Sequence, residues 1–522
     1  MSLVSKFLSV GSATMASRVL GFVREAMIAA VLGAGPVTDA FYAALRFPNL
    51  FRRLFAEGAF NTAFIPMFAR QLEGGGEAAA RRFGEDVLSV LVPLLLFLSA
   101  VAIVAMPFLV ATVIAPGFTD TPEKFDLTVV MTRIMFPYLF CMSLVAMFSG
   151  ILNSMRRYFL AAFAPVLLNI VLIVALVAAA ATGRQPAETG VYLAWGVFVS
   201  GILQLFFLAW GVRRTGFVMA MRRPRMTPEV KRLLVLMGPA ALTGGVIQIN
   251  LLVGQMIAST QDKAITFINL ADRVNQLPLG VIGIAIGVVL LPELARALKA
   301  GNLDDAQHLQ NRSLEFSLGL SLPAAIGMMM IPGPIIALLY ERGAFTAADT
   351  AMTASTLAAF AIGLPAFVLI KVFSPAFFAR EDMKTPMYFS MVAVVVNIVG
   401  SLVFFPVLGQ VAIALATSAS GWVNFILLAV VLWRRDHFRP SAVTLRRVAM
   451  IGVASVAMAL AIQAMTMLAA ATWPDAGGLA RTLVVIAIIA VSGAVYFGIA
   501  IATGAIDGQQ LKRLMRKRHT AK

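Results

Sequence analysis

Twelve ionisable side chains interrupt stretches of the sequence that are otherwise apolar. Eight are basic: Arg18, Arg24, Arg46, Arg52, Arg53, Arg133, Arg273 and Lys371. Glu25, Glu57 and Asp272 lie among them, and Asp39 stands at the start of the second apolar run. An ionised group in mid-bilayer costs roughly 2.5–3.5 kcal/mol, so each must find a partner or a wet cavity. Mutual neutralisation serves part of the set: Arg18 or Arg24 with Glu25, Arg53 with Glu57, Arg273 with Asp272. It leaves four or five positive charges over. Arginine presents a planar fork of donors that matches phosphate and carboxylate. The chemistry these residues suit is the binding of a large anion, and no catalytic set accompanies them.

Helical spacing groups these residues. At 100° per residue Arg46, Arg53 and Glu57 share one stripe, with Asn49 and Asn61 beside it. Asn269, Asp272, Arg273 and Gln276 form a second stripe, and Arg18 and Glu25 lie two turns apart on a third. Arg24 sits about a quarter-turn or more from that face, and Arg52 points about 100° from Arg53. Arg133 and Lys371 are read either as ligands or as interfacial residues. Gly21, Pro48, Gly58, Pro278 and Gly280 are candidate bending points. Cys141 is the sole cysteine, and His308, His437 and His519 lie outside the apolar runs, so neither a zinc site nor a buried histidine relay is expected. "EGGGE" (73–77) lacks the Lys-Ser/Thr ending of a phosphate-binding loop and reads as a flexible link.

The elements that carry these residues are membrane helices. Of 522 residues, 60% are hydrophobic and 13% charged, and mean hydropathy is +0.89. Fourteen apolar runs, from 3–33 to 480–503, approach or exceed the roughly 20 residues that span a bilayer. Lipid admits helices or closed barrels, and runs this long exclude barrel strands. The fold class expected is an all-α polytopic membrane protein with fourteen transmembrane helices. The first run, interrupted by Arg18, Arg24 and Glu25, reads as a retained helix rather than a leader. With the N-terminus cytoplasmic, the cytoplasmic segments hold 29 Lys and Arg against 5 in the opposite loops. That bias puts both termini in the cytoplasm. It also accounts for most of the net charge of +17 as topology and contact with anionic lipid rather than nucleic acid.

The chain repeats itself. Arg46 precedes "PMFAR" (66–70) as Arg273 precedes "PELAR" (292–296), at offsets of 227 and 226. "LLNIV" (167–171) returns as "VVNIV" (395–399), and "SGILQ" (200–204) as "SGWVN" (420–424). Two six-helix lobes follow, 1–215 and 216–440, with a final helix pair and basic tail at 441–522. Parallel repeats of this kind place substrate between the halves.

Residues 21–68, "GFVREAMIAAVLGAGPVTDAFYAALRFPNLFRRLFAEGAFNTAFIPMF", resemble the MurJ (MviN) lipid II flippases of the multidrug/oligosaccharidyl-lipid/polysaccharide exporter superfamily. So do 271–296, "YERGAFT" (340–346) and the Thr-Pro of "DMKTP" (382–386). The resemblance implies movement of lipid II, an undecaprenyl-pyrophosphate-linked peptidoglycan precursor, from the cytoplasmic to the periplasmic leaflet of the bacterial inner membrane by alternating access. It maps the family's cavity residues onto Arg18, Arg24, Arg52, Arg273 and Asp39. It assigns the final helix pair to a groove for the polyprenyl tail. Glu25 stands where close relatives would carry Asp. Some relatives bind a cation; here Asn397 and Thr417 are the candidate ligands, and Gln248 and Asn250 supply no carboxylate. No cofactor is implied beyond membrane potential or a monovalent cation. Partners are lipid II, membrane lipids and cell-wall synthesis proteins. The competing readings are a drug exporter, which would favour acidic or aromatic cavity residues, and a membrane glycosyltransferase, which would need a catalytic carboxylate and a substantial extramembrane region.

Overall fold

A computed structural model describes residues 3–470 and 478–505, excepting the side chains of 3–9, 55–57, 59, 239–244, 247, 284–289, 470, 478 and 479. Every described element is helical, as a bilayer requires of chains whose backbone must satisfy itself. Ten helices among the described residues are long and apolar enough to cross a membrane. Three of the helices expected to carry intramembrane charge, Leu3–Leu32, Pro36–Phe51 and Ala264–Lys299, fall outside those ten. Arg18, Arg24 and Glu25 interrupt the apolar surface of the first, and the second is short, at 16 residues.

The chain divides into two compact units, Met1–Thr266 with Arg342–Thr346, and Phe267–Glu341 with Ala347–Lys522. The first contains α1 (Leu3–Leu32), α2 (Pro36–Phe51), α3 (Asn61–Val104), α4 (Met106–Leu109), α5 (Pro122–Met135), α6 (Tyr138–Ser154), α7 (Tyr158–Ala181), α8 (Pro186–Arg213) and α9 (Pro228–Ala258). The helix α10 (Ala264–Lys299) begins in it. A π-helical segment, Arg52–Phe60, joins α2 to α3. Gly76 breaks α3 with φ 72°, ψ −174°, at the glycine run read as a link. The α-helical stripe drawn through Arg46, Arg53 and Glu57 therefore loses its geometry beyond Arg52. Turns closed by i→i+5 bonds do not advance 100° per residue, and such segments cluster at functional sites.

Two glycines let α1 dock on the short 342–346 loop of "YERGAFT". Gly33 and Gly343 both have positive φ, +65° and +60°. A Cβ on Gly343 would lie 2.2 Å from the Ala30 carbonyl oxygen, and one on Gly33 2.5 Å from that of Ala344. The approach is sealed by Ala344 N–H donating to Ala30 O at 2.8 Å.

The second unit holds the rest of α10 with α11 (Leu303–Met330), α12 (Pro332–Tyr340), α13 (Ala347–Phe378), α14 (Lys384–Leu408), α15 (Gln410–Arg434), α16 (Ala442–Ala470) and α17 (Gly478–Ala502). The final pair, α16 and α17, packs on itself and on α11. Ile451, Met458, Ile462, Ile488 and Tyr496 close that core, and the Tyr496 hydroxyl donates to Gly319 O at 2.6 Å. At the other edge of the unit Asp382 organises the start of α14. It accepts from the Thr385 hydroxyl at 2.7 Å and backbone N–H at 3.0 Å, and from Arg435 at 2.7 Å. The Thr385 hydroxyl, its backbone N–H and then Arg435 hold that carboxyl down at about 2.

Within each unit the echoed helices are neighbours: α7 packs on α8, and α14 on α15. The echoed serines behave alike. Ser200 donates to Val197 O at 2.6 Å and Ser420 to Thr417 O at 2.7 Å, each one turn back.

Candidate functional site

Three charges of α1 and α2, Arg24, Glu25 and Asp39, lie in two buried clusters, both in the first unit. In one, adjacent Arg24 and Glu25 are ion-paired, and their residues are only 6% and 5% exposed. The second guanidinium nitrogen of Arg24 donates to Asn169 Oδ1 on α7 at 3.0 Å. Asn169 returns its amide to Ser17 O at 2.9 Å, which ties α7 to α1 across the pair. The Tyr42 hydroxyl on α2 donates to the other Glu25 oxygen. Gly21 leaves room for Asn169: a Cβ there would stand 3.6 Å from its amide oxygen. A buried ion pair is tolerable when its remaining donors and acceptors are met; these partners take both terminal nitrogens of Arg24, while its buried Nε has no hydrogen-bond partner.

In the second cluster Asp39, fully buried in the first turn of α2, collects four donors. Lys124 Nζ of α5 lies at 2.9 Å, Lys263 N at 2.9 Å, Thr266 N at 3.0 Å and Thr266 Oγ1 at 2.6 Å. Lys124, itself 3% exposed, also stands 4.2 Å over the Phe118 ring and 3.3 Å from Asp262. One carboxylate thus fastens α2 and α5 to the turn that precedes α10. Lys263 holds a left-handed φ of 64° there. A non-glycine residue keeps such a conformation where its surroundings over-determine it.

The remaining expected residues are distributed as follows. Arg18 is exposed on α1. Arg52 donates from Nε to Asn49 Oδ1 at 3.1 Å, and Arg53 is exposed, both in the π-helical segment. The Glu57 side chain lies outside those described. Asp272 and Arg273 are half-buried on α10, and Gln276 donates to Asp272 from one turn along the expected stripe. Arg133 is exposed and donates to Ile103 O at 3.1 Å. Lys371 lies along Gly283, where a Cβ would meet its ammonium at 2.5 Å. Among the bending points, Gly21 sits inside the unbroken α1, Pro278 and Gly280 inside the unbroken α10, and Pro48 and Gly58 flank or enter the π-helical turn. Asn397 accepts from Ser401 at 3.2 Å, and Thr417 donates to Ile413 O at 2.7 Å. Both ligands are neutral oxygens, a weak set for a cation. No cluster of three His, Cys, Asp or Glu occurs among the described residues.

Sequence reasoning missed three members of this architecture. Asn169 was visible as the polar centre of the echoed "LLNIV". Tyr42 and Lys124 gave no signal, because a tyrosine in an apolar run and a lysine at a loop edge are ordinary.

Membrane-length helices that bury arginine and carboxylate among them define a polytopic membrane protein of the transporter class. The fold agrees. A solved "Lipid II flippase MurJ, inward closed conformation" superposes with a TM-score of 0.77 at 24% identity, over 94% of this chain and 99% of that one. A multidrug resistance MATE family transporter of the MOP superfamily, in an inward-facing conformation, superposes at 0.66 and 17% identity, over 82% and 97%. Residues 28–497 match the family described as "Lipid II flippase MurJ". A "Probable lipid II flippase MurJ" of Rhizobium tropici is 50% identical over 526 residues, covering 100% of this chain and 98% of that relative. The chain belongs to the MurJ lipid II flippase family.

Proposed function

We infer that this protein carries lipid II across the membrane in which it is embedded. The observation that carries the reading is full-length identity of one residue in two with a relative named for that activity. The surplus of arginine on α1, the π-helical segment and α10 is its chemical counterpart. A pyrophosphate and a peptide carboxylate are the groups such a set would meet.

Within that reading Arg18, Arg52, Arg53 and Arg273 hold the anionic head group, with Arg24 set in place by Glu25, Tyr42 and Asn169. Glu57 and Asp272 balance the cavity's charge. Asp39 acts as a positioning residue, since the protein itself supplies its donors. The fourteen helices form two six-helix lobes, and the final pair offers a groove to the lipid tail. Both termini face the cytoplasm, on the strength of the charge bias of the loops. The lobes rock about the head group, with Pro48, Gly58 and the π-helical turn between them as the deformable element. A positively charged cavity couples the cycle to membrane potential, since one charge moved through 100 mV is worth about 2.3 kcal/mol. The neutral pair Asn397 and Thr417 makes any cation subsidiary.

Binding of lipid II to the purified protein in proteoliposomes tests the arginine assignment. Arg273→Ala should weaken it by a factor of about 10 or more, the loss of one charge-assisted contact of about 1.5–3 kcal/mol. Unchanged affinity would remove Arg273 from the site.

A further inference from the structure

The first unit contains a cavity of about 450 Å³ that none of the transport chemistry uses. Its walls are Phe47 and Phe51 of α2, Leu91 and Leu95 of α3, Phe136, and Leu233 of α9. The single polar group among its lining residues, the Ser143 hydroxyl, is already spent on Leu139 O at 2.9 Å. Such a space repels water, and left empty it forfeits the contacts of every atom around it. It is not sealed: Leu94, Leu98 and Val101 on α3 and Leu234 on α9 line it and are also exposed. In a bilayer that mouth meets hydrocarbon.

One end of the cavity is marked by charge. Val230 lines it, and Lys231 and Arg232 follow on α9, both exposed. Val87 lines it on α3, two residues after the buried Glu85. Glu85 holds down the connection between α8 and α9: it accepts from Ala220 N at 3.0 Å and pairs with Arg222 Nε at 2.6 Å. That anchor brings Arg222, and with it the exposed Arg223 and Arg225, to the same end of α3. Beside Glu85, which Arg222 answers, the acids here are Asp86 and Glu229, set against the exposed Arg223, Arg225, Lys231 and Arg232. Exposed Met221 and Met226 alternate with the arginines, as on a surface that rests in the head-group layer.

We propose that this crevice is a binding site for an anionic phospholipid of the cytoplasmic leaflet, one acyl chain lying between α2, α3 and α9 and the phosphate meeting Arg223, Arg225, Lys231 and Arg232. Chain and charge are complementary to the cavity and to its cationic end. The assignment of leaflet rests on the orientation given under the proposed function. The site is distinct from the arginines assigned to lipid II.

The test uses the full chain in phosphatidylcholine vesicles containing a trace of phosphatidylglycerol or of phosphatidylcholine, each with the same photoactivatable acyl chain. Cross-links are mapped by peptide mass spectrometry. The phosphatidylglycerol probe should label residues 87–109 and 230–237 several-fold more than the phosphatidylcholine probe. Replacing Arg223, Lys231 and Arg232 together by serine should bring the two probes level. Ala102→Phe, which fills the crevice, should reduce both. Labelling spread evenly over all lipid-facing helices, or unchanged in both variants, overturns the proposal. Displacement of the probe by undecaprenyl phosphate but not by unlabelled phosphatidylglycerol overturns it too, and gives the crevice to the substrate's tail. None of these readouts needs transport, so failure of the flippase reading would leave them interpretable.

Discussion

Arg24→Ala lowers the melting temperature of the purified protein and abolishes transport, whereas the double change Arg24→Leu with Glu25→Leu restores most of the stability and none of the transport. Removing Arg24 alone takes from the almost wholly buried Glu25 carboxylate the ion pair with its neighbour, though the Tyr42 hydroxyl still donates to it. Breaking such a pair from one side costs about 3–5 kcal/mol, while replacing both members by apolar groups is often neutral or favourable. Asn169 also loses the donor that occupies its Oδ1, so the tie between α1 and α7 slackens. If Arg24 served only as a ligand for substrate, the single variant would keep its melting temperature. Thermal unfolding of wild type, Arg24→Ala and the double variant separates the two roles.

Asp39→Asn is the second large effect, with an expected loss of about 3–5 kcal/mol. The amide can accept some of the four hydrogen bonds, but it cannot neutralise Lys124, which is as buried as its partner. The remaining carboxylate near that ammonium, Asp262, is 3.3 Å away with an 88% exposed side chain, where solvent screens it. Adding Lys124→Met to Asp39→Asn should recover the greater part of the loss. It should not recover the geometry of the turn at Lys263, whose N–H and strained φ both depend on the carboxylate. Unfolding of the four members of this cycle gives the coupling energy directly, and additivity of the two changes would contradict the account.

Much of this was legible in the sequence, for a physical reason. A bilayer forces apolar runs into helices and makes every exception to apolarity expensive, so Arg24, Glu25, Asp39, Asp272 and Arg273 announce themselves as residues with partners. Spacing put Asp272 and Gln276 on one stripe, and Gln276 donates to Asp272 one turn back. It failed where the backbone leaves the α-helix. The π-helical turn at Arg52–Phe60 follows a proline that lacks its N–H, and no wheel drawn at 100° survives it. It also failed across helices. Lys124 counts as a loop cation until α5 folds against α2, and Asn169 is one asparagine in an apolar run until α7 meets α1. The fourteen apolar runs and the ten helices recognisable by hydropathy differ in part because Arg18, Arg24 and Glu25 interrupt α1 and because α2 is only 16 residues long.

The central claim is movement of lipid II, and the most direct measurement is its exposure on the outer leaflet in cells that can be depleted of this protein and lack any second flippase. The account predicts that depletion raises total lipid II while its periplasmic accessibility falls, and that wild type, but not Arg273→Ala at equal protein level, restores both. Lipid II that stays at normal level and exposure after complete depletion would contradict it.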